Sequence, residues 1–331
     1  MTRDAPPLLC SLSESQKLGA QIAARARIDI LPLEERPFEE GEFKLRPLDS
    51  VRGRTVFLVQ SLAGSAEAPV AQRLVRLLFL LFGLRDAAAA RVVALIPYLS
   101  YARKDRRTQL RDPVNTRYVA QLLEATGVSS LVCLDVHNPA ALDNAFRVPV
   151  DHLSALPMFV RHFADTLPKC DLAVASPDVG GVKRAQIFRE LLTKQIGREI
   201  DLVFVEKRRA QKVVSGGTVV GAVDGRTVIV LDDLCASGQT LIRAAGSLRE
   251  AGAAAVHVAF THAPLARGLA AVCACDEIAS VITTDSALPS VAPSERLTQL
   301  HVAPLFAEAV SRMIAGAPLA PLLHRWPPIG S

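Results

Sequence analysis

The sequence predicts an α/β protein with mostly parallel sheets, split into two domains. Its 331 residues suit two domains of ordinary size. Short apolar runs alternate with amphipathic stretches along nearly the whole chain, the pattern of βαβ units. Several of the apolar runs stop abruptly at acidic or basic residues, as strands do when their carboxyl ends face a ligand.

The elements follow in order. TVFLVQS from Thr55 reads as a strand, Val70 to Arg85 as a helix, and RVVALIP as the next strand. A helix near Val114 to Gly127 leads to SLVCLDVH. FRVPVDHLSALP carries two proline breaks and places a domain boundary near Ser154, giving domains 1–154 and 155–331, with the tail after about residue 305 expected to rejoin the first. The second series is LAVASPD, a helix from Val182, LVFVEK, TVIVLDD, another helix and AVHVAFTH. The tail HRWPPIGS is proline-rich and reads as frayed, with Trp326 packing on a partner or capping the core.

Composition narrows the function. Half the residues are hydrophobic, so two cores can form. A net charge of +5 fits an anionic ligand, whereas 5% aromatics and basic residues confined to two short runs argue against nucleic acid. The run LLFLLFGL from Leu77 is too short to span a bilayer, and MTRDAPPLLCSLSES has no signal-like apolar core, so the expected location is the cytoplasm. The six cysteines lack paired metal spacing and read as reduced thiols; the lone C-x-C of Cys273 and Cys275 reads as packing.

Five stretches carry chemistry. In VIVLDDLCASGQTL, Val228 to Leu231 is too apolar for a half-exposed strand, and Asp232 and Asp233 follow at its end. Ser237, Gly238, Gln239 and Thr240 open a helix whose first N–H groups, with two hydroxyls, favour a phosphate. Carboxylates only accept, so the Asp pair suits hydroxyl donors or a metal. A diol with a phosphate is a sugar phosphate. The plainer reading, a helix capped by Ser237, leaves two adjacent acids unexplained. PYLSYARKDRRTQLRDP holds five basic residues and Arg117 follows, making six over fifteen positions from Arg103, a density that suits a polyphosphate better than a solvated loop. LDVH sets Asp135 and His137 at a strand end, for metal or phosphate. ASPDVGGVKRA puts Asp178 and two glycines before a helix, which reads as a second anion pocket. VEKRRAQK leaves its strand with Lys207, Arg208 and Arg209 and reads as a mobile cationic hairpin.

In this order, FEEGE, VRGRTVFLVQS, PYLSYARKDRR, DVHNPAALDNAF, ASPDVGGVKRA, EKRRA and LDDLCASGQT resemble the ribose-phosphate pyrophosphokinase (PRPP synthetase) family. The resemblance runs from about Phe38 to the APLFAEAVSRM helix, and several motifs in register are more specific than any single one. It implies two type I phosphoribosyltransferase-like domains, a homodimer or homohexamer, and Mg²⁺-dependent transfer of the diphosphoryl group of ATP to O1 of ribose 5-phosphate. It also implies roles. Asp232 and Asp233 would meet the ribose hydroxyls, and Ala236, Ser237, Gly238, Gln239 and Thr240 would line the 5-phosphate. Arg103, Lys104 and Asp105 would serve ATP, with Phe38, Glu40 and Glu42 reaching a neighbouring subunit's adenine. His137 and Asp178 would be the Mg²⁺ positions, and Lys207 and Arg209 the catalytic cations.

The chain departs from the family pattern at several of these positions. Ala236 stands for the third Asp of the family loop, Ser237 for Thr and Gln239 for its second Gly; Lys104 stands for Gln, and Glu40 for a shorter acid or amide. Three readings follow: an active synthetase, a catalytically silent regulatory homologue, and a phosphoribosyltransferase. Retention of Lys207, Arg209, Asp178 and His137 favours the first.

Overall fold

The computed structural model describes residues 5–65, 67–210, 213–287 and 294–323, with the side chains of 207–217 outside the description. Trp326 and the tail around it lie outside the described residues. The chain forms two compact units, Met1–Ser154 with Val302–Ser331, and Ala155–His301.

The first unit runs β1 (Leu8–Ser11), α1 (Gln16–Ala26), β2 (Asp29–Ile30), β3 (Leu33–Pro37), β4 (Phe43–Pro47), β5 (Thr55–Val59), α2 (Val70–Asp86), β6 (Arg91–Ile96), α3 (Asn115–Ala125), β7 (Ser130–Leu134), α4 (Pro139–Ala145) and β8 (Val150–Leu153). Six strands form a parallel sheet ordered β2-β1-β5-β6-β7-β8. Every residue of β7 is buried, as expected of a parallel strand covered on both faces. The leucine-rich run is an amphipathic helix rather than a uniformly buried one: Leu77, Leu80, Leu81 and Leu84 of α2 enter the core, while Phe79 is exposed and meets Phe43 at 5.5 Å between ring centroids. Strands β3 and β4 form a separate antiparallel hairpin.

The second unit runs α5 (Leu156–Thr166), β9 (Leu172–Ser176), α6 (Val182–Ile196), β10 (Asp201–Ala210), β11 (Val213–Val220), β12 (Thr227–Leu234), α7 (Gln239–Glu250), β13 (Ala255–His262), α8 (Ala266–Cys273), β14 (Ser280–Thr284) and β15 (Leu297–Leu300). Its sheet is ordered β11-β10-β9-β12-β13-β14-β15, and only β10 with β11 is antiparallel. The α/β class with mostly parallel sheets is as the sequence predicts.

The second unit ends at His301 rather than at the end of the chain. Helix α9 (Ala303–Ala315) lies against α1 and buries Phe306 and Val310, so packing returns it to the first unit.

Topology fixes where a ligand can enter the second unit. From β9 the chain crosses through α6 to β10 on one side, and from β12 through α7 to β13 on the other. The two crossovers diverge between β9 and β12, which makes the carboxyl ends of these strands the crevice of an open α/β sheet. Pairing of β12 with β9 stops at Val230, whereas pairing with β13 continues to Leu234. One side of β12 is therefore left unpaired at Asp232 and Asp233.

Candidate active site

The acids lie inside β12, not beyond it as the apolar run suggests, because β13 still supplies backbone partners there. Strand alternation then places Asp232 and Asp233 on opposite sides, with Asp233 buried and Asp232 partly so. Arg184, in the first turn of α6, joins them: its Nη1 lies 3.0 Å from Asp233 Oδ1 and 3.6 Å from Asp232 Oδ1. The Asp233 backbone N–H donates to Asp232 Oδ1 at 2.8 Å. Burial, and then the neighbouring Asp233 charge, hold the Asp232 carboxyl well above its ordinary pKa, and Arg184 pulls the other way.

The loop after β12 turns through Cys235, Ala236 and Ser237 into α7. The helix cap is Gly238, not Ser237, and no side chain caps the helix. Gly238 has φ +78°, and a methyl there would stand 2.8 Å from Val272 Cγ2 and 2.9 Å from the Gly268 carbonyl, so glycine is required twice over. A methyl on Gly268 would overlap the Ala236 carbonyl oxygen. Helix α8 is thus the rear wall of the loop. The first N–H groups of α7 are left for a ligand or solvent. Ser237 and Gln239 are exposed and Thr240 is half-buried. Burial, then the Asp232 charge, pushes the Cys235 thiol up to about 12, so it stays a neutral packing group.

On the other lip of the crevice, Asp178 follows β9. Its Oδ1 accepts from the N–H groups of Gly180 at 3.0 Å and Gly181 at 3.2 Å. Those donors are the ones an anion would need, so the expected second anion pocket is closed by its own acid.

The cationic segment does not leave its strand. Strand β10 continues through Lys207 and Arg209 to Ala210, because β11 pairs with it: Lys207 faces Gly217 and Arg209 faces Val214, with a register shift between the two. The side chains of Lys207, Arg208 and Arg209 lie outside the described residues, as do Gln211 and Lys212 altogether.

The remaining candidates belong to the first unit. Phe38, Glu40 and Glu42 lie together on the exposed tip of the β3–β4 hairpin, where the Phe38 N–H donates to the Glu42 carbonyl at 2.9 Å. The Arg36 guanidinium sits 5.3 Å from the Phe38 ring centroid. In the basic loop after β6, Arg103 is exposed, but Lys104 is turned inward, with its Nζ 2.6 Å from Asp112 Oδ2. The same oxygen accepts from Thr108 Oγ1 and from the N–H groups of Thr108 and Gln109. Lys104 and these donors hold the Asp112 carboxyl far below the usual range. Lys104 therefore braces its own loop. Asp105 Oδ2 accepts from Asn138 Nδ2 at 2.6 Å, tying the loop to the start of α4. A cleft of about 450 Å³ opens there, with Arg106, Arg117, Thr116 and Asn144 among its walls. His137 is exposed at the end of β7, just past Asp135, which sits at φ 35°.

Arg184 is the residue that sequence reasoning overlooked. The available signal was a cation in the first turn of a helix, the end where the dipole disfavours one. Among the described residues no group of three or more His, Cys, Asp or Glu gathers as a metal cluster. None of the described helices is long and apolar enough to cross a membrane.

The second unit, with a carboxylate pair and an uncapped helix start at the crevice of a mostly parallel sheet, defines a protein of the phosphoribosyltransferase-fold class. Residues 158–287 match the phosphoribosyl transferase domain, and residues 8–127 match the N-terminal domain of ribose phosphate pyrophosphokinase. The chain is 35% identical over 308 residues to a ribose-phosphate pyrophosphokinase of Granulibacter bethesdensis, covering 92% of this chain and 96% of that protein. It is 34% identical over 312 residues to one from Caldanaerobacter subterraneus, covering 94% and 95%. The phosphoribosylpyrophosphate synthetase structure from Mycobacterium smegmatis superposes with a TM-score of 0.85 at 29% identity, covering 95% of this chain and all of that one. This chain belongs to the ribose-phosphate pyrophosphokinase family.

Proposed function

We propose that the protein is a Mg²⁺-dependent ribose-phosphate diphosphokinase, converting ATP and ribose 5-phosphate to PRPP and AMP. One observation carries this reading: the crevice of the second unit combines a carboxylate pair with an uncapped helix start behind a glycine turn. That pair of features suits a diol joined to a phosphate. Asp232 and Asp233 accept from the ribose hydroxyls. The N–H groups at the start of α7, with Ser237 and Thr240, hold the 5-phosphate. Ala236 and Gln239 complete the loop, and the exposure of Gln239 supports a cradle that its amide does not plug.

Arg103 grips the ATP phosphates through its fork, while Lys104 and Asp105 shape the loop that presents it. Phe38, Glu40 and Glu42 serve the adenine of a neighbouring copy, in a homodimer or homohexamer, and their shared exposed tip supports this. His137 and Asp178 are the residues that would hold Mg²⁺. The donor set fits in part: Mg²⁺ commonly takes one or two protein carboxylates and leaves its other positions to substrate and water, and the imidazole rests on the family relation. When bound, the ion neutralises phosphate charge. Lys207 and Arg209 stabilise the charge growing on the transferred diphosphoryl group as ribose O1 attacks the β-phosphorus in line and AMP departs. All six cysteines are free of disulfides, which fits the cytoplasm.

The deciding measurement is AMP formation from ATP in Mg²⁺, with and without ribose 5-phosphate. Sugar-dependent AMP, abolished by chelator, is expected. ATP binding with no sugar-dependent AMP would replace this reading with the silent regulatory homologue.

A further inference from the structure

We propose that Arg184 is a positioning residue for the sugar: it clamps Asp232 and Asp233 in place as a pair of acceptors for the ribose hydroxyls. The inference rests on the reading of this crevice as the ribose 5-phosphate site. It starts from an electrostatic problem. Two adjacent carboxylates at the end of a largely buried strand repel one another, and burial penalises both charges. Such a pair favours taking up a proton, and a protonated carboxyl presents a donor where a sugar hydroxyl needs an acceptor; Arg184 opposes that tendency without reversing it.

Among the described residues, Arg184 is the cation that ion pairs place on both acids, 3.0 Å from Asp233 and 3.6 Å from Asp232. Among the described residues, the groups around Asp232 are Asp233 on its own strand, Arg184 from α6, and the Cys235 thiol beyond, which stays neutral. Local helix energetics do not explain Arg184, since the first turn of α6 is the end where the dipole disfavours a cation. Maximal hydrogen bonding does not explain it either, since its Nε is buried without an acceptor. What the placement achieves is one guanidinium shared between two carboxylates on opposite sides of a strand. Both contacts are made by one nitrogen, Nη1, so a compact ammonium reaching the same place would keep part of the effect.

The test is steady-state AMP formation by the full chain, comparing wild type with R184M, R184K, D233N and R184M/D233N. Folding of each variant is checked by circular dichroism. R184M should raise the ribose 5-phosphate KM roughly tenfold to a hundredfold, with the ATP KM unchanged and kcat largely kept. R184K should recover part of the loss. In the D233N background the pair carries one charge fewer, so adding R184M should cost much less than it does alone. An unchanged sugar KM in R184M, equal losses for ATP and sugar, or full additivity with D233N would each overturn the positioning role. Should R184M fail to fold, R184Q takes its place under the same criteria. Wild-type protein that makes no sugar-dependent AMP overturns the reading of the site and this inference with it, whereas active wild type with an indifferent R184M overturns the inference alone.

Discussion

Asp232 carries a tension between stability and binding. Its folded pKa is raised, so the stability linked to its protonated form is complete below the unfolded value of about 3.9 and is lost as pH rises through the folded value. D232N should therefore melt at a higher temperature than wild type at pH 7–8, with the gap closing toward pH 4, while weakening ribose 5-phosphate use. Thermal melts across that pH range test the sign; a D232N protein less stable at pH 7 contradicts the account. Gln239 is a different case. The close packing of the loop falls on Gly238, and Gln239 is exposed one residue later. Q239G should shift the sugar KM by less than about threefold, a far smaller effect than D233N, and sugar-dependence kinetics of the two variants decide this. The acid pair was legible in sequence because two charges directly after an apolar run have no packing explanation. Arg184 was not, because the contact that gives it meaning spans from α6 to β12, and a cation in the first turn of a helix does not by itself name a partner 49 residues away.

At the scale of elements, the packing of α8 on the cradle loop makes a sharp demand. G268A forces a methyl onto the Ala236 carbonyl, so the loop or the helix must shift. Sugar binding should be lost, with a lower melting temperature, and crystallography of the variant would locate the displacement; unchanged kinetics would mean that the loop tolerates it. The β10–β11 hairpin carries Lys207 and Arg209, proposed above as the catalytic cations; on that proposal K207A should lower kcat by orders of magnitude with little change in ATP KM, since its charge is needed mainly in the transition state. Apolar runs such as VIVL and LAVAS announced their strands because strands covered on both faces need no polar residues. Strand β10 runs further than the sequence predicts for the opposite reason: cations look like a loop until an antiparallel partner at the edge of the sheet keeps them in a ladder. The N-terminal LLCS of β1 is not legible as a strand in the sequence, since four residues carry too little periodicity to stand out.

For the whole molecule, the alternation of strands and helices made the parallel architecture legible, and the proline breaks marked the change of unit at Ser154. How the tail fastens back was only partly legible, because it depends on which apolar surface α1 leaves uncovered. Phe306 is fully buried, so F306A should cost roughly 3–5 kcal/mol of first-unit stability by denaturant unfolding, while leaving the second unit's transition in place. The return of α9 also sets an order of events during synthesis. A ribosome releases Ala155–His301 in full before it releases the helix that completes the older half of the chain. The part made first is the part that must wait, holding an open apolar seam along α1 while its successor folds. Nascent chains arrested before Val302 should show protease resistance in the second unit while the first is still cut, because the seam along α1 stays open until α9 has emerged.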